Sequence, residues 1–151
     1  MPFTWKYNVS GGRPLVQTLL AKDTETFTIG DMVNLESGEA DLAATSDTDI
    51  LGGFVGPEDP ADQKANEPGV VEATDSTTVL KVITNPDAVY AVADANARLM
   101  GATLDISGAT GAQTVAASSN TEFVVVARKR QNADDTLVSI IGTLHPFTKS
   151  Q

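Results

Sequence analysis

Phe3-Thr4-Trp5-Lys6-Tyr7-Asn8-Val9-Ser10 alternates without interruption between apolar and polar residues. That is the period of an extended strand, whose successive side chains point to opposite faces. Ser10-Gly11-Gly12 ends the run and Arg13-Pro14 leads into the rest of the chain. Three of the chain's eight aromatic residues fall in its first seven positions. Chain ends are usually polar and loosely held, so an aromatic face there requires a surface to bury against. If that surface belongs to the same chain, the segment is a first strand packed on its own barrel. If it belongs to another molecule, the segment is an arm. We read residues 1–14 as an extended amino-terminal arm hinged at Gly11-Gly12, with the first-strand reading kept open beside it.

Beyond the arm, residues 15–151 read as one β-rich domain. Val16-Leu20, Thr26-Ile29, Met32-Leu35, Glu39-Ala43, Ile50-Val55, Thr78-Thr84, Ala88-Ala93, Thr103-Ile106, Thr114-Ala117, Glu122-Arg128 and Leu137-Leu144 are short runs rich in Val, Ile, Thr and Leu. Turn residues separate them at intervals of about ten, as in sandwiches and barrels. Ser37-Gly38 predicts a tight hairpin, Gly30-Asp31 another junction, and 132–135 a polar turn between the last two strands. One short helix is allowed, over Asp94 to Met100, with Asp94 as cap and Gly101 as terminator. Residues 57–69 hold three of the seven prolines and little to bury, and read as a projecting loop. The expected fold is all-β: a single compact β-barrel or β-tulip-like domain plus the arm.

Composition limits the function. The chain has 151 residues, 20 acidic against 10 basic side chains, a formal net charge of -10, and no cysteine. Thiol nucleophiles, thiolate metal sites and disulfides are therefore ruled out. An acidic surface repels phosphate backbones, so nucleic acid is not an expected partner. No signal-peptide pattern opens the chain, and no apolar run approaches the roughly 20 residues of a membrane-spanning helix, so no membrane partner is expected. Arg128-Lys129-Arg130 is the one dense basic cluster and reads as a solvated strand end.

Catalytic signals are weak throughout. His145, the single histidine, lies near the end of the sequence and is a poor candidate for a triad base. There is no Gly-x-Ser-x-Gly elbow. Gly108-Ala109-Thr110-Gly111 lacks the Lys and spacing of a phosphate loop and reads as a turn. Asp47, Asp49, Gly52 and Glu58 match positions one, three, six and twelve of a calcium-binding EF-hand loop. Leu51 occupies position five without a ligand oxygen and the flanks read as strand, so the match is read as coincidence. The chain is expected to be no enzyme and to carry no cofactor or metal.

Three segments together carry a resemblance. They are Gly30-Asp31-Met32-Val33-Asn34-Leu35 with Ser37-Gly38 and Ile50-Leu51-Gly52-Gly53-Phe54-Val55; Asn96 through Ile106; and Asn120-Thr121-Glu122-Phe123-Val124-Val125-Val126. Across roughly residues 15 to 145 the chain resembles the head decoration, or capsid cement, proteins of tailed bacteriophages. The resemblance implies a structural virion protein, made in the host cytoplasm and placed on the outer surface of an expanded capsid. It implies a homotrimer that staples neighbouring major capsid proteins, with a mobile amino-terminal arm that adds a strand to the capsid. On that reading Phe3, Trp5, Lys6, Tyr7, Val9 and Arg13 are the capsid-binding residues. The alternative from another class is a carbohydrate- or receptor-binding β module of a phage tail. Against it, Phe27, Phe54, Tyr90 and Phe123 sit in apolar strands and read as core.

Overall fold

Thirteen strands account for about half of the described backbone in the computed structural model, which describes residues 2–74, 77–94, 96, 98–117, 122–127, 135–141 and 146. They are β1 (Phe3–Asn8), β2 (Val16–Leu20), β3 (Thr26–Thr28), β4 (Met32–Glu36), β5 (Glu39–Leu42), β6 (Ile50–Pro57), β7 (Val70–Glu72), β8 (Val79–Ile83), β9 (Ala88–Ala93), β10 (Thr103–Ser107), β11 (Thr114–Ala117), β12 (Phe123–Ala127) and β13 (Asp135–Ile140). The strand pairs are antiparallel, in a six-stranded sheet ordered β1-β9-β13-β12-β10-β11, a five-stranded sheet β2-β8-β6-β4-β5, and the pair β3-β7. The protein is all-β, as the runs of β-branched residues predict.

Neither large sheet closes into the expected barrel. The five-stranded sheet comes nearest: it curls until Ala21, just past β2, meets Ala40 of β5 in one isolated parallel bridge. Lys22 N–H donates to Ala40 O at 2.8 Å at that point. Beyond it β2 and β5 part, leaving a seam. One apolar cluster fills the curl, with Phe27, Val33, Leu51, Phe54, Leu80 and Val82 at its centre. A second packs one face of the six-stranded sheet, with Phe3, Met32, Ile50, Tyr90, Phe123 and Val138. The four aromatics read as core, Phe27, Phe54, Tyr90 and Phe123, are buried.

Three buried polar side chains fasten the β10–β11 hairpin to the β3–β5 region. Asp31 accepts from Thr28 N–H at 2.8 Å, Gly111 N–H at 2.8 Å and Thr110 Oγ1 at 2.6 Å. Gln113 Oε1 accepts from Met32 N–H at 2.6 Å while its Nε2 donates to Ala43 O at 2.9 Å. Glu122 accepts from Ser46 N–H at 2.7 Å and Ile106 N–H at 3.0 Å. Burial pushes the carboxyls of Asp31 and Glu122 above their ordinary values, although these backbone donors counter it.

Residues 3–8 are not a free arm. They form β1, the edge strand of the six-stranded sheet, paired with β9. The reason is packing: Phe3 is 2% exposed and stacks on Phe123, and Trp5 lies against the same core. The helix allowed over 94–100 is also absent from its described residues. Asp94 instead accepts from Asn96 N–H at 3.1 Å and from Arg98 Nε at 2.7 Å, an ion pair that holds a turn. Among the described residues the one helical element is a 3-10 turn, Pro60–Asp62, capped by Asp59 within the loop at 57–69. Ser37 and Gly38 both have positive φ, 51° and 84°, in the two-residue hairpin that their sequence predicts. Arg128-Lys129-Arg130, residues 132–134 and His145 lie outside the described residues.

Candidate docking surface

The alternation of residues 3 to 10 is unbroken in sequence but broken in space. β1 bulges at Lys6: Trp5 pairs with Tyr90, whereas Tyr7 pairs with Val89. A bulge adds one residue and reverses which side chains face the core. Phe3 and Trp5 therefore face inward, while after the bulge Asn8, rather than Tyr7 or Val9, is buried. Asn8 is satisfied there, accepting from Trp5 Nε1 and donating to Arg13 O, each at 3.1 Å. Tyr7 is left 43% exposed and Val9 69% exposed. Ser10 N–H is tied down by the Asp87 carboxylate at 2.7 Å, which fixes the exit from the strand and, through the Ser10 contacts, holds that carboxyl below its ordinary value.

Of the six residues read as capsid-binding, the structure thus leaves Lys6, Tyr7, Val9 and Arg13 exposed. Trp5 is half-buried and Phe3 is removed altogether, since a side chain sealed in its own core has nothing to offer a partner. Trp5, Pro14, Val55 and Ile83 line a cleft of about 320 Å3 between β1 and the outer face of the five-stranded sheet. Val16 lies directly opposite Ile83, and Leu20 opposite Val79, so the apolar surface runs on from the cleft along β2.

Six of the eight exposed large apolar residues found among the described ones, Tyr7, Val9, Leu15, Val16, Leu20 and Val55, fall on β1, β2, β6 or the β1–β2 connection. Such clustering is what distinguishes a docking surface from scattered exposed side chains. The charges agree. Lys22 pairs with Glu36 and Asp41, Lys64 with Glu67 and Glu72, and Arg98 with Asp94. The other described cations, Lys6, Arg13 and Lys81, make no ion pair among the described residues, and each lies on β1, β8 or the β1–β2 connection. Leu15, Val16, Leu20, Val55 and Lys81 were not singled out from sequence. The apolar doublets Leu15-Val16 and Leu19-Leu20, which exceed what one buried face of a five-residue strand can use, were the available signal.

The catalytic readings find no constellation here. Gly108 and Gly111 sit in the β10–β11 turn with positive φ. Asp47 accepts from Ala44 N–H at 2.7 Å as a turn residue. No group of three or more His, Cys, Asp or Glu able to hold a metal occurs among the described residues, and no helix there is long and apolar enough to cross a membrane. Neither models of protein families nor curated proteins match the chain.

Proposed function

We propose that the chain is a structural component of a tailed-phage head, bound to the outer surface of the expanded capsid and bridging neighbouring major capsid proteins. The supporting observation is the concentration of exposed apolar residues on β1, β2, β6 and the β1–β2 connection, beside three cations that make no ion pair among the described residues of a strongly acidic protein. This joins the resemblance carried by the three segments quoted above. On this reading attachment uses a preformed face, Tyr7, Val9, Arg13, Leu15 and Val16, and needs no arm to become ordered. Preorganisation lowers the entropic cost of binding. A homotrimer presents three such faces at high effective concentration, so modest single contacts suffice. Binding to the assembled shell then opposes its disassembly by mass action. The protein acts as a staple and performs no reaction.

Cosedimentation with expanded and unexpanded heads tests the proposal. Wild-type protein is expected to pellet with expanded heads, and a Val9→Asp, Leu15→Asp double variant to remain in the supernatant. Wild-type protein left in the supernatant at micromolar concentration overturns it. The tail-module alternative draws on Trp5 beside its cleft and on exposed Tyr7, and binding to glycans in place of heads would favour it.

A further inference from the structure

Along most of β2 the backbone has a side that no described strand covers. Thr84 N–H donates to Leu15 O and Ala21 N–H donates to Thr78 O, both at 2.9 Å. In an antiparallel pair every second residue bonds to the neighbour. Residues 15, 17, 19 and 21 therefore bond toward β8, and Val16, Thr18 and Leu20 turn their N–H and C=O groups the other way. At Lys22 that outer side is taken by Ala40 of β5, the bridge that nearly closes the curled sheet. From Leu20 back to Val16 no described strand pairs with it. Behind the open seam lies an apolar pit of about 190 Å3, lined by Gln17, Leu19, Leu35, Leu51 and Val82.

From this geometry we infer that the seam beside β2 receives an extended acidic segment of another protein, which adds a strand to the curled sheet. This rests on the docking role proposed above and specifies its partner. An added strand supplies the missing bonds to Val16, Thr18 and the Leu20 N–H, the Leu20 carbonyl being taken at the Ala40 bridge, and turns alternate side chains inward, where the pit takes one aliphatic group. The intervening side chains face outward beside Thr18. Lys81 lies directly across β2 from that position, opposite Thr18. Arg13 stands exposed where β2 begins. Both cations lack an ion pair among the described residues, so the complementary sequence alternates aliphatic and carboxylate side chains. Where the seam narrows, Lys22 pairs with both Glu36 and Asp41 and offsets one of their two charges.

The probes are an eight-residue peptide alternating Val and Glu, its Val and Lys counterpart, and intact heads. Amide hydrogen exchange in full-length protein reads the site directly. The Val–Glu peptide is expected to slow exchange at Val16, Thr18 and Leu20 at least tenfold, with little change at the already bonded Gln17 and Leu19. An Arg13→Glu, Lys81→Glu variant is expected to reverse the preference toward the Val–Lys peptide. Unchanged exchange at the three amides, or equal response to both peptides, overturns the inference. Thr18→Pro removes an outward N–H and leaves the bonds to β8 intact, a position where an edge strand tolerates proline. Heads that bind wild type and lose Thr18→Pro support the inference. Heads that bind both equally overturn it and leave the capsid role standing. Protection by the Val–Glu peptide without any head binding sustains the seam and removes the capsid role. The charge-reversal variant carries the same test if Thr18→Pro does not fold.

Discussion

Phe3 and Phe123 stack with ring centroids 5.3 Å apart and planes 23° from parallel, although 120 positions separate them in the chain. The contact crosses from the edge of the six-stranded sheet toward its interior, since β9 and β13 lie between β1 and β12. It makes the amino-terminal strand part of the core.

Phe3→Ala is accordingly expected to destabilise the protein by about 3–5 kcal/mol, the usual cost of emptying a buried phenylalanine site. Urea unfolding measures it. Deletion of residues 1–12 is expected to unfold the body or to lower its melting temperature sharply. A truncated protein as stable as the full chain would show that β1 contributes nothing.

Gly52 and Gly56 give a matched pair. Both have positive φ, 152° and 145°. A Cβ on Gly52 would come within 2.0 Å of Ile83 O and 2.6 Å of the Tyr90 hydroxyl, whereas one on Gly56 meets nothing within 4 Å. Gly52→Ala adds a backbone clash to conformational strain, while Gly56→Ala has strain alone, about 1–3 kcal/mol. The expected outcome is a clearly larger loss for Gly52→Ala in thermal unfolding.

Two carboxylates are expected to respond to pH with opposite signs. Burial pushes Asp94 up, but the Arg98 guanidinium and the Asn96 amide outweigh it and hold the carboxyl below its ordinary value. A lowered carboxyl contributes stability above its unfolded value and loses it as pH falls through the folded value. The gap between wild type and Asp94→Asn, about 1–3 kcal/mol at neutral pH, should therefore close on acidification. Glu122 is raised by burial, so its contribution is present below the unfolded value and declines as pH rises through the folded one. The gap between wild type and Glu122→Gln should narrow as pH rises from the ordinary glutamate range. Stability curves for both variants from acid to neutral pH check the signs.

Val9→Ser and Leu15→Ser remove exposed methyl groups without disturbing either core. Each is expected to change stability by less than about 0.5 kcal/mol. Each should weaken head binding by more than about 1 kcal/mol, roughly fivefold or more, if it lies near the centre of the interface. Head-binding titrations beside melting curves separate the two effects.

Much of the strand content was legible because turn residues bracket short β-branched runs. Val16–Leu20, Ala88–Ala93 and Thr114–Ala117 fall where the sequence places them. Val70–Glu72 was not, being three residues long behind a proline-rich loop and made a strand by pairing with Thr26–Thr28. Asp94 and Arg98 have helical spacing, yet the ion pair they form holds a turn. The docking surface depended on a bulge at Lys6, invisible in an alternation that reads perfectly. Which edge of β2 stays open is decided by strand pairings distant in sequence, and no local pattern encodes them.

The order β1-β9-β13 also sets a timetable for the ribosome. The six residues of β1 have no sheet to join until residues 88–93 have emerged, and β9 gains its second neighbour only with 135–140. Closing loops of that length before any pairing is gained slows folding, as in other proteins built from distant contacts. Until then Phe3 and Trp5 must wait unburied, which leaves the nascent chain vulnerable to aggregation before β13 arrives.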